Sequence, residues 1–359
     1  MDKLIVAGLS WQDVALLRGF SHYLRQSGFS LSEKNMGDVY SSHPEISRLL
    51  VELFNVKFDP DFTGDRESAV QTKTEEIFEA LAQVSSLDAD RILRATAEVI
   101  AATVRTNVFQ RDEDGQPRRA NVFKIKPELL EFSPKPRPAL EMFVYSPEVE
   151  GVHLRFGRVA RGGLRWSDRR DDFRTEVLGL VKAQMVKNAL IVPTGAKGGF
   201  YPKRLPDPAL DREAWGAAGQ AAYEVFINAL LDVTDNLVVE DGQQKTVYPE
   251  RTVRYDEDDT YLVVAADKGT ARFSDVANKI AVDRGFWLQD AFASGGSTGY
   301  DHKAMAITSR GAWKSVERHF RELGVNTATD DFTAVGIGDM SGDVFGNGML
   351  RSEHIRFCL

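Results

Sequence analysis

Apolar side chains recur at helical spacing through residues 1–110 of the chain. The pattern runs through residues 11–24 and 46–54, and it continues at Ile77, Leu81 and Val84. The last three positions are spaced i, i+4 and i+7, which places them on one face of a helix. The periodicity therefore predicts a series of helices that each bury one apolar stripe.

A further helix is predicted after Asp88, because aspartate is among the residues that cap helix N-termini. Its apolar face would carry Ile92, Leu93, Val99, Ile100 and Val104. Residues 1–110 contain no constellation of polar side chains with an evident chemical use. We therefore assign this helical segment to packing or assembly rather than to chemistry.

The pattern changes at residues 111–120, where RDEDGQPRRA is polar and rich in turn-forming residues. After this boundary, short alternating stretches take turns with longer helical patterns. The predicted strands cover 139–145, 152–159, 191–192 and 261–265, and the predicted helices cover 173–190 and 211–231. The very apolar run 261–265 is typical of a buried parallel strand. Strands that alternate with helices indicate an α/β domain, which we place at residues 111–300.

Residues 301–359 carry a third pattern. A strand-like run at 332–335 enters a glycine-rich turn, a short helix is predicted up to Arg351, and a second strand is predicted from Ile355. We expect these residues to begin a separate domain.

The composition excludes several classes of protein. Of the 359 residues, 43% are hydrophobic and 27% are charged, which suits about two domains with buried cores. The net charge of −8 is unusual for a nucleic-acid-binding protein, and no apolar run reaches the roughly 18 residues of a membrane span. The single cysteine, Cys358, excludes a disulfide within the chain and fits a reducing cytoplasm. The six scattered histidines form no HExxH motif, so we expect no metal site.

The densest charge lies in a glycine-containing segment, RGGLRWSDRR, at residues 161–170. It belongs to a stretch with five arginines between positions 161 and 174. Adjacent glycines let the backbone approach a ligand, and guanidinium groups bind carboxylates and phosphates in bidentate fashion. A loop of salt bridges explains the same composition equally well.

A second segment, GAKGG, places Lys197 among glycines directly after an apolar helix-to-strand run. We expect a narrow loop that presents the ammonium group of Lys197 to a cleft. The alternative is an ordinary turn with a solvated side chain. The segment is not a P-loop, because GxxxxGK followed by Ser or Thr is absent.

Two further motifs follow predicted strands. Asp267 comes after the run 261–265, and a carboxylate at the carboxyl end of a strand lies where α/β proteins bind ligands, although it would also serve as a helix N-cap. Gly336 and Gly338 fit the first two glycines of GxGxxG, the dinucleotide-binding motif. Ser341 stands at the third glycine position, so an ordinary glycine loop is an equal alternative.

A competing pattern is GGSTG at residues 295–299, which fits the GxSxG motif of serine hydrolases with Ser297 as nucleophile. The residues before it do not form a convincing buried strand. Only His302, His319 and His354 lie downstream to act as the base. This alternative therefore fits poorly.

Taken together, four segments occur in an order that resembles the glutamate dehydrogenases. RGGLRWSD, KNALIVPTGAKGG, AADKGT and STGY follow one another and precede a glycine-rich turn. The sequences of these segments are most similar to those of the large, multidomain bacterial NAD-specific glutamate dehydrogenases, and the resemblance covers about residues 155–345. The resemblance implies an α/β domain for the amino acid and a Rossmann domain for the nucleotide, which residues 301–359 would begin.

The resemblance also implies a reaction, the oxidative deamination of L-glutamate to 2-oxoglutarate and ammonia with hydride transfer to NAD. Arg161 and Lys187 would bind the two carboxylates of the substrate, although the smaller enzymes carry lysine where Arg161 stands. Lys197 would activate the water that attacks the imine carbon, and Asp267 would exchange protons with the amino group.

The cofactor residues implied by the resemblance are Thr298, near the nicotinamide, and Gly336 and Gly338, which would let the pyrophosphate approach a helix N-terminus. The acid that binds the ribose and the remaining strands of the nucleotide domain are missing from these residues. We therefore expect the chain to be a truncated part of a longer enzyme, and its activity in isolation stays open.

Two alternatives to a glutamate dehydrogenase stay open. One is a catalytically inactive binding or assembly module, and the other is an amino-acid dehydrogenase of the same superfamily that acts on leucine, valine or phenylalanine. These substrates lack a side-chain carboxylate, so the cationic region around Arg161 favours glutamate. The resemblance also implies a cytoplasmic homo-oligomer.

Overall fold

A computed structural model of the chain describes residues 4–5, 8–185, 194–267, 269–270, 272–299, 303–337, 340 and 342–358. Contacts between its residues divide the chain into two units, Met1–Ser294 and Gly295–Leu359. No helix in the described residues is long and apolar enough to cross a membrane.

The N-terminal segment forms helices, as its periodicity predicts. They are α1 (Trp11–Gln26), α2 (Glu33–Ser42), α3 (Pro44–Phe58), α4 (Arg66–Leu81) and α5 (Leu87–Ala102). The cap of α5 is Ser86, whose hydroxyl accepts a hydrogen bond from the backbone N–H of Ala89. The prediction that Asp88 caps this helix is wrong. Asp88 lies in the first turn, where its negative charge interacts favourably with the helix dipole.

The segment after α5 forms a mixed α/β structure around one eight-stranded sheet, as predicted. The strands run in the order β1-β2-β3-β4-β6-β5-β9-β10. They are β1 (Thr103–Thr106), β2 (Asn121–Ile125), β3 (Leu140–Tyr145), β4 (Val149–Arg155), β5 (Ala160–Trp166), β6 (Thr194–Pro202), β9 (Val263–Ala266) and β10 (Ala293–Ser294). The helices of this part are α6 (Phe173–Met185), α7 (Arg212–Asp232) and α8 (Ser274–Asp283).

Strand direction divides the sheet into two halves. The strands from β1 to β4 pair in antiparallel fashion, and β6 pairs with β4 the same way. In the other half, β5 is parallel to both β6 and β9, and β9 is parallel to β10. The predicted parallel strand at 261–265 is therefore confirmed as β9. The strand predicted at 152–159 is instead β4, which ends at Arg155.

The two glycine-containing motifs contribute strands β5 and β6. The narrow loop expected at Lys197 is therefore wrong, and a loop, which was one alternative for the arginine-rich segment, begins only after Trp166. The reason lies in the contact between the two strands. A Cβ atom at Gly162 would lie only 1.6 Å from the carbonyl oxygen of Ala196. Glycine therefore permits a backbone approach that a side chain would block, and the register sets Leu164 opposite Gly198.

Helices cover both faces of the sheet. On one face, Phe20 of α1 packs against Phe123 of β2 with ring centroids 4.8 Å apart, and α6 adds Val177 to the same core. On the other face, Phe226 of α7 and Phe273, the residue before α8, belong to a second apolar cluster. The helical segment and the sheet thus share one apolar core.

A group of buried charges fastens the 235–259 segment to the antiparallel half of the sheet. The buried charge cluster consists of Arg105, Lys124, Arg155, Asp235, Asp256 and Asp259. Its ion pairs measure 2.5–2.7 Å, and none of these side chains is more than 7% exposed. The three cations and three carboxylates balance in charge, as burial requires.

The second unit is smaller. Helix α9 (Ile307–Glu322) precedes β11 (Phe332–Ala334), which pairs in parallel with β12 (Ile355–Phe357). The connection contains a wide helical turn at Asp343–Asn347 where the sequence predicts a short helix. A separate hairpin, β7 (Asn236–Glu240) with β8 (Gln243–Val247), belongs to the first unit.

Candidate active site

Lys197 and Asp267 meet in the parallel half of the sheet. Lys197 lies in β6, and Asp267 follows directly after β9. The Nζ atom of Lys197 is 2.5 Å from Oδ2 of Asp267, and the two side chains are 13% and 17% exposed. An ammonium and a carboxylate in this contact, partly open to solvent, are suited to proton exchange.

The contact passes over β5, which lies between β6 and β9. It does so at Gly163, where the absence of a side chain leaves the necessary space. A Cβ atom at this position would lie 3.1 Å from Cβ of Asp267 and 3.3 Å from Nζ of Lys197. The glycine predicted to admit a ligand thus admits the Lys197–Asp267 pair.

Arg165 and Glu176 are two residues beside this pair that the sequence analysis did not identify. The Nη2 atom of Arg165 is 3.5 Å from Oδ1 of Asp267, and its Nη1 atom is 3.0 Å from Oε1 of Glu176 in α6. Burial opposes its charge, but Glu176 and Asp267 outweigh burial and raise the pKa of Arg165. The available signal is strand alternation, because Arg165 lies two residues after Gly163 and therefore on the same face of β5. We call Arg165, Glu176, Lys197 and Asp267 the site cluster.

Arg161 lies on the same face of the sheet as Lys197. It pairs with Gly195 in the register of β5 and β6, two residues before Lys197. Its side chain is exposed and forms no ion pair within the described residues. It is therefore available to an anion. Lys187, the second predicted carboxylate-binding residue, lies outside the described residues.

Asp267 does not cap a helix, so that alternative is wrong. The next helix, α8, begins at Ser274 after Phe273 at the N-cap position. The backbone N–H of Asp267 donates to Oγ1 of Thr270, and that hydroxyl in turn lies 2.6 Å from the carbonyl oxygen of Leu164. These hydrogen bonds tie the turn after β9 to β5.

The predicted cofactor residues belong to the second unit. Thr298 is exposed in a turn. Gly336 lies two residues after the last residue of β11. A Cβ atom at Gly336 would lie 1.9 Å from the ring of Phe345, so glycine is required there for packing. Gly338 lies outside the described residues.

The serine-hydrolase alternative lacks the structure that its motif needs. A nucleophile elbow places the serine between a strand and a helix. Ser297 does follow the two-residue strand β10, but the next helix in the described residues begins only at Ile307. The geometry therefore gives this alternative no support.

Comparison with known proteins agrees with the motif order. Residues 76–359 match the family described as bacterial NAD-glutamate dehydrogenase, catalytic domain, and residues 2–60 match glutamate dehydrogenase, helical motif 3. NAD-specific glutamate dehydrogenases from Mycobacterium tuberculosis and Halomonas elongata are each 58% identical to this chain over 99% of its length. The chain spans 22% of the length of these relatives.

Solved structures show a weaker similarity. A glutamate dehydrogenase from Peptoniphilus asaccharolyticus shares 14% identity with a TM-score of 0.37, over 62% of this chain and 47% of the other. The family match covers most of the chain, including every residue of the site cluster. The chain belongs to the bacterial NAD-glutamate dehydrogenase catalytic domain family.

Proposed function

We propose that this chain carries the amino-acid-binding and acid–base part of an enzyme that converts L-glutamate and NAD to 2-oxoglutarate, ammonia and NADH. The observation that carries the proposal is the 2.5 Å contact between Lys197 and Asp267. It unites two motifs from different parts of the chain beside an exposed cation, Arg161. A dicarboxylic amino acid needs cations for its carboxylates and a pair of groups that exchange protons with its nitrogen and with water.

The roles follow from position and charge. Arg161 and Lys187 would hold the two carboxylates of glutamate. Lys197 would orient and deprotonate the water that attacks the imine carbon and would stabilise the negative charge that develops on oxygen. Asp267 would accept and return protons at the amino group and at the departing ammonia.

The second unit fits the start of a nucleotide site. Two parallel strands, β11 and β12, are joined through a glycine-containing turn and a helical turn, which is the local order that a dinucleotide site uses. Gly336 and Gly338 would let the pyrophosphate approach the backbone, and Thr298 would face the nicotinamide. Bound there, NAD would supply the acceptor for the hydride that leaves Cα of the substrate.

The test is glutamate-dependent formation of NADH by the purified chain and by Lys197→Ala, with NADP run in parallel. Lys245→Ala is the matched control, since Lys245 is an exposed lysine whose partner is Glu240 in the hairpin. Where the chain turns over with NAD, we expect the rate to fall about 10²–10⁴-fold in Lys197→Ala and to stay unchanged in Lys245→Ala. Turnover that survives in Lys197→Ala would contradict the proposal.

Binding provides the second measurement. Titration calorimetry with 2-oxoglutarate should show binding to the chain and weaker binding to Arg161→Met, whether or not the chain turns over. A chain that neither oxidises glutamate nor binds 2-oxoglutarate would contradict the proposal. Turnover of leucine in preference to glutamate would favour the related amino-acid dehydrogenases instead.

We further propose that the enzyme works as a homo-oligomer in the cytoplasm. The unpaired, exposed thiol of Cys358 suits a reducing compartment. The family resemblance supports the oligomer, and size-exclusion chromatography with light scattering tests it.

A further inference from the structure

The carboxylate of Asp267 lies between two cations. Its Oδ2 atom faces Lys197 at 2.5 Å, and its Oδ1 atom faces Arg165 at 3.5 Å. Asp267 belongs to a turn rather than to a strand or helix, so its own backbone restrains the side chain less than a regular element would. Arg165, the second cation, contacts the other carboxylate oxygen, Oδ1. It therefore restricts rotation of the carboxylate and keeps Oδ2 directed at Lys197.

Arg165 is itself held from its other side. Its Nη1 atom donates to Glu176 at 3.0 Å, and the second carboxylate oxygen of Glu176 accepts a hydrogen bond of 2.6 Å from Ser167. A guanidinium stays protonated throughout the range in which enzymes work, so Arg165 supplies a fixed charge and takes up no proton. Its planar fork spans two carboxylates and sets the distance between them.

The helix that carries Glu176 is anchored to the N-terminal helical segment. The side-chain amide of Gln26 in α1 donates to the carbonyl oxygen of Arg170 at 2.9 Å and accepts from the backbone N–H of Arg174 at 3.2 Å. The buried guanidinium of Arg174 makes two hydrogen bonds, of 2.6 and 2.7 Å, to Glu141 in β3. The first turn of α6, and with it Glu176, is thus fixed to both α1 and the sheet.

We propose that Arg165 and Glu176 form a positioning pair that orients the Asp267 carboxylate for proton exchange, and that α1 anchors this pair through the first turn of α6. The inference rests on the proposed function of Lys197 and Asp267. It assigns Arg165 to the geometry of the proton exchanger, whereas a substrate-binding role would act on the affinity for glutamate.

The test compares pH profiles of glutamate oxidation for the chain, Arg165→Met, Arg165→Lys and Glu176→Gln. Arg169→Met is the matched control, because Arg169 is a nearby arginine whose partner, Asp172, has an exposed side chain and lies just before α6. In Arg165→Met we expect kcat to fall about 10-fold or more while KM for glutamate changes by less than about threefold. Arg165→Lys should recover part of kcat, and Arg169→Met should match the unchanged chain.

The pH profile separates positioning from structural support. Removal of the Arg165 charge disfavours ionised Asp267, so the acidic limb of kcat should move to higher pH in Arg165→Met. Removal of the Glu176 charge favours ionised Asp267, so the limb should move to lower pH in Glu176→Gln. A merely structural role predicts loss of activity in both variants without opposite shifts, and that result would overturn the inference.

A crystal structure of Arg165→Met makes the inference independent of the proposed function. We expect the Asp267 carboxylate to turn away from the orientation that it has in the unaltered chain, while α6 stays in place. An Asp267 carboxylate that keeps its orientation without Arg165 would overturn the inference, even if the chain proves to catalyse a different reaction. A displaced carboxylate in a chain that neither oxidises glutamate nor binds 2-oxoglutarate would count against the proposed function alone.

Discussion

The sheet carries two clusters of opposed charges that differ in their access to solvent. The buried charge cluster holds three cations and three carboxylates, none more than 7% exposed. The site cluster holds two of each, with side-chain exposures of 13–19%. Both clusters are balanced in charge and pair arginine and lysine with carboxylates, so they differ mainly in burial and in the direction of the strands around them.

The comparison separates a group of charges that is closed to solvent from one that solvent can reach. In the buried charge cluster, Asp259 contacts both Lys124 and Arg155, and water is excluded. Burial, aided by the charge of Arg155, also lowers the pKa of the neighbouring His153 to about 3, so this imidazole stays neutral. In the site cluster, Lys197 and Asp267 are partly exposed, and under the proposed function this exposure would give substrate and protons access to them.

The largest expected effect is on stability, in Asp259→Asn. The substitution leaves Lys124 and Arg155 buried without their shared carboxylate, which should cost about 3–5 kcal/mol of unfolding free energy. Urea denaturation measures the loss. Asp258→Asn is the control, since the neighbouring Asp258 pairs with Arg254 at the surface and should cost less than about 1 kcal/mol. Equal losses in the two variants would contradict the assignment of stability to burial.

The same pairing predicts a pH dependence. Burial alone would raise the pKa of Asp259, but Lys124 and Arg155 outweigh burial and hold the pKa well below its usual range. The stability from this carboxylate is therefore complete above the unfolded-state pKa of about 3.9 and is lost as the pH falls through the lower folded-state pKa. The difference in stability between the unaltered chain and Asp259→Asn should shrink below about pH 4, as urea titrations at several pH values would show.

The second substitution, Asp267→Asn, should have the opposite effect: a small change in stability and a large loss of activity. The amide keeps the shape of the side chain, and solvent partly reaches the two cations, so the unfolding free energy should change by only about 1 kcal/mol or less. Under the proposed function, glutamate oxidation should fall about 10²–10⁴-fold. Stability loss as large as that of Asp259→Asn would remove the distinction between the clusters.

The third substitution concerns a buried cation that has no carboxylate partner among the described residues. Lys57 donates to the carbonyl oxygens of Ile100, Ala101 and Thr103 at the end of α5, and burial lowers the pKa of Lys57 to about 8. Lys57→Met leaves these carbonyls unpaired and should cost about 1–3 kcal/mol by thermal or urea unfolding. Lys279→Met, at an exposed lysine of α8, should be neutral. A neutral Lys57→Met would show that carbonyl dipoles alone do not stabilise a buried ammonium here.

Local patterns predicted much of the fold. Apolar periodicity identified α1, α3, α4 and α5, and α7 begins within one residue of its predicted start. These elements are set by neighbours three or four residues apart, which a sequence displays directly. The sequence predicts a loop at Lys197 and allows one at residues 161–170, and glycine does weaken a strand unless another backbone approaches closely. That approach, at Gly162 and Ala196, involves residues distant in the chain.

The sequence by itself determined the order of the motifs and the family, and it singled out Lys197 and Asp267, the two side chains to which we assign proton exchange. Only the tertiary structure decided that these two meet over Gly163 and that Arg165, one of five nearby arginines, contacts the other carboxylate oxygen of Asp267. Motif composition is local, so it names the residue types that a reaction needs. Which of them share a site depends on strand register across the sheet, which long-range packing sets.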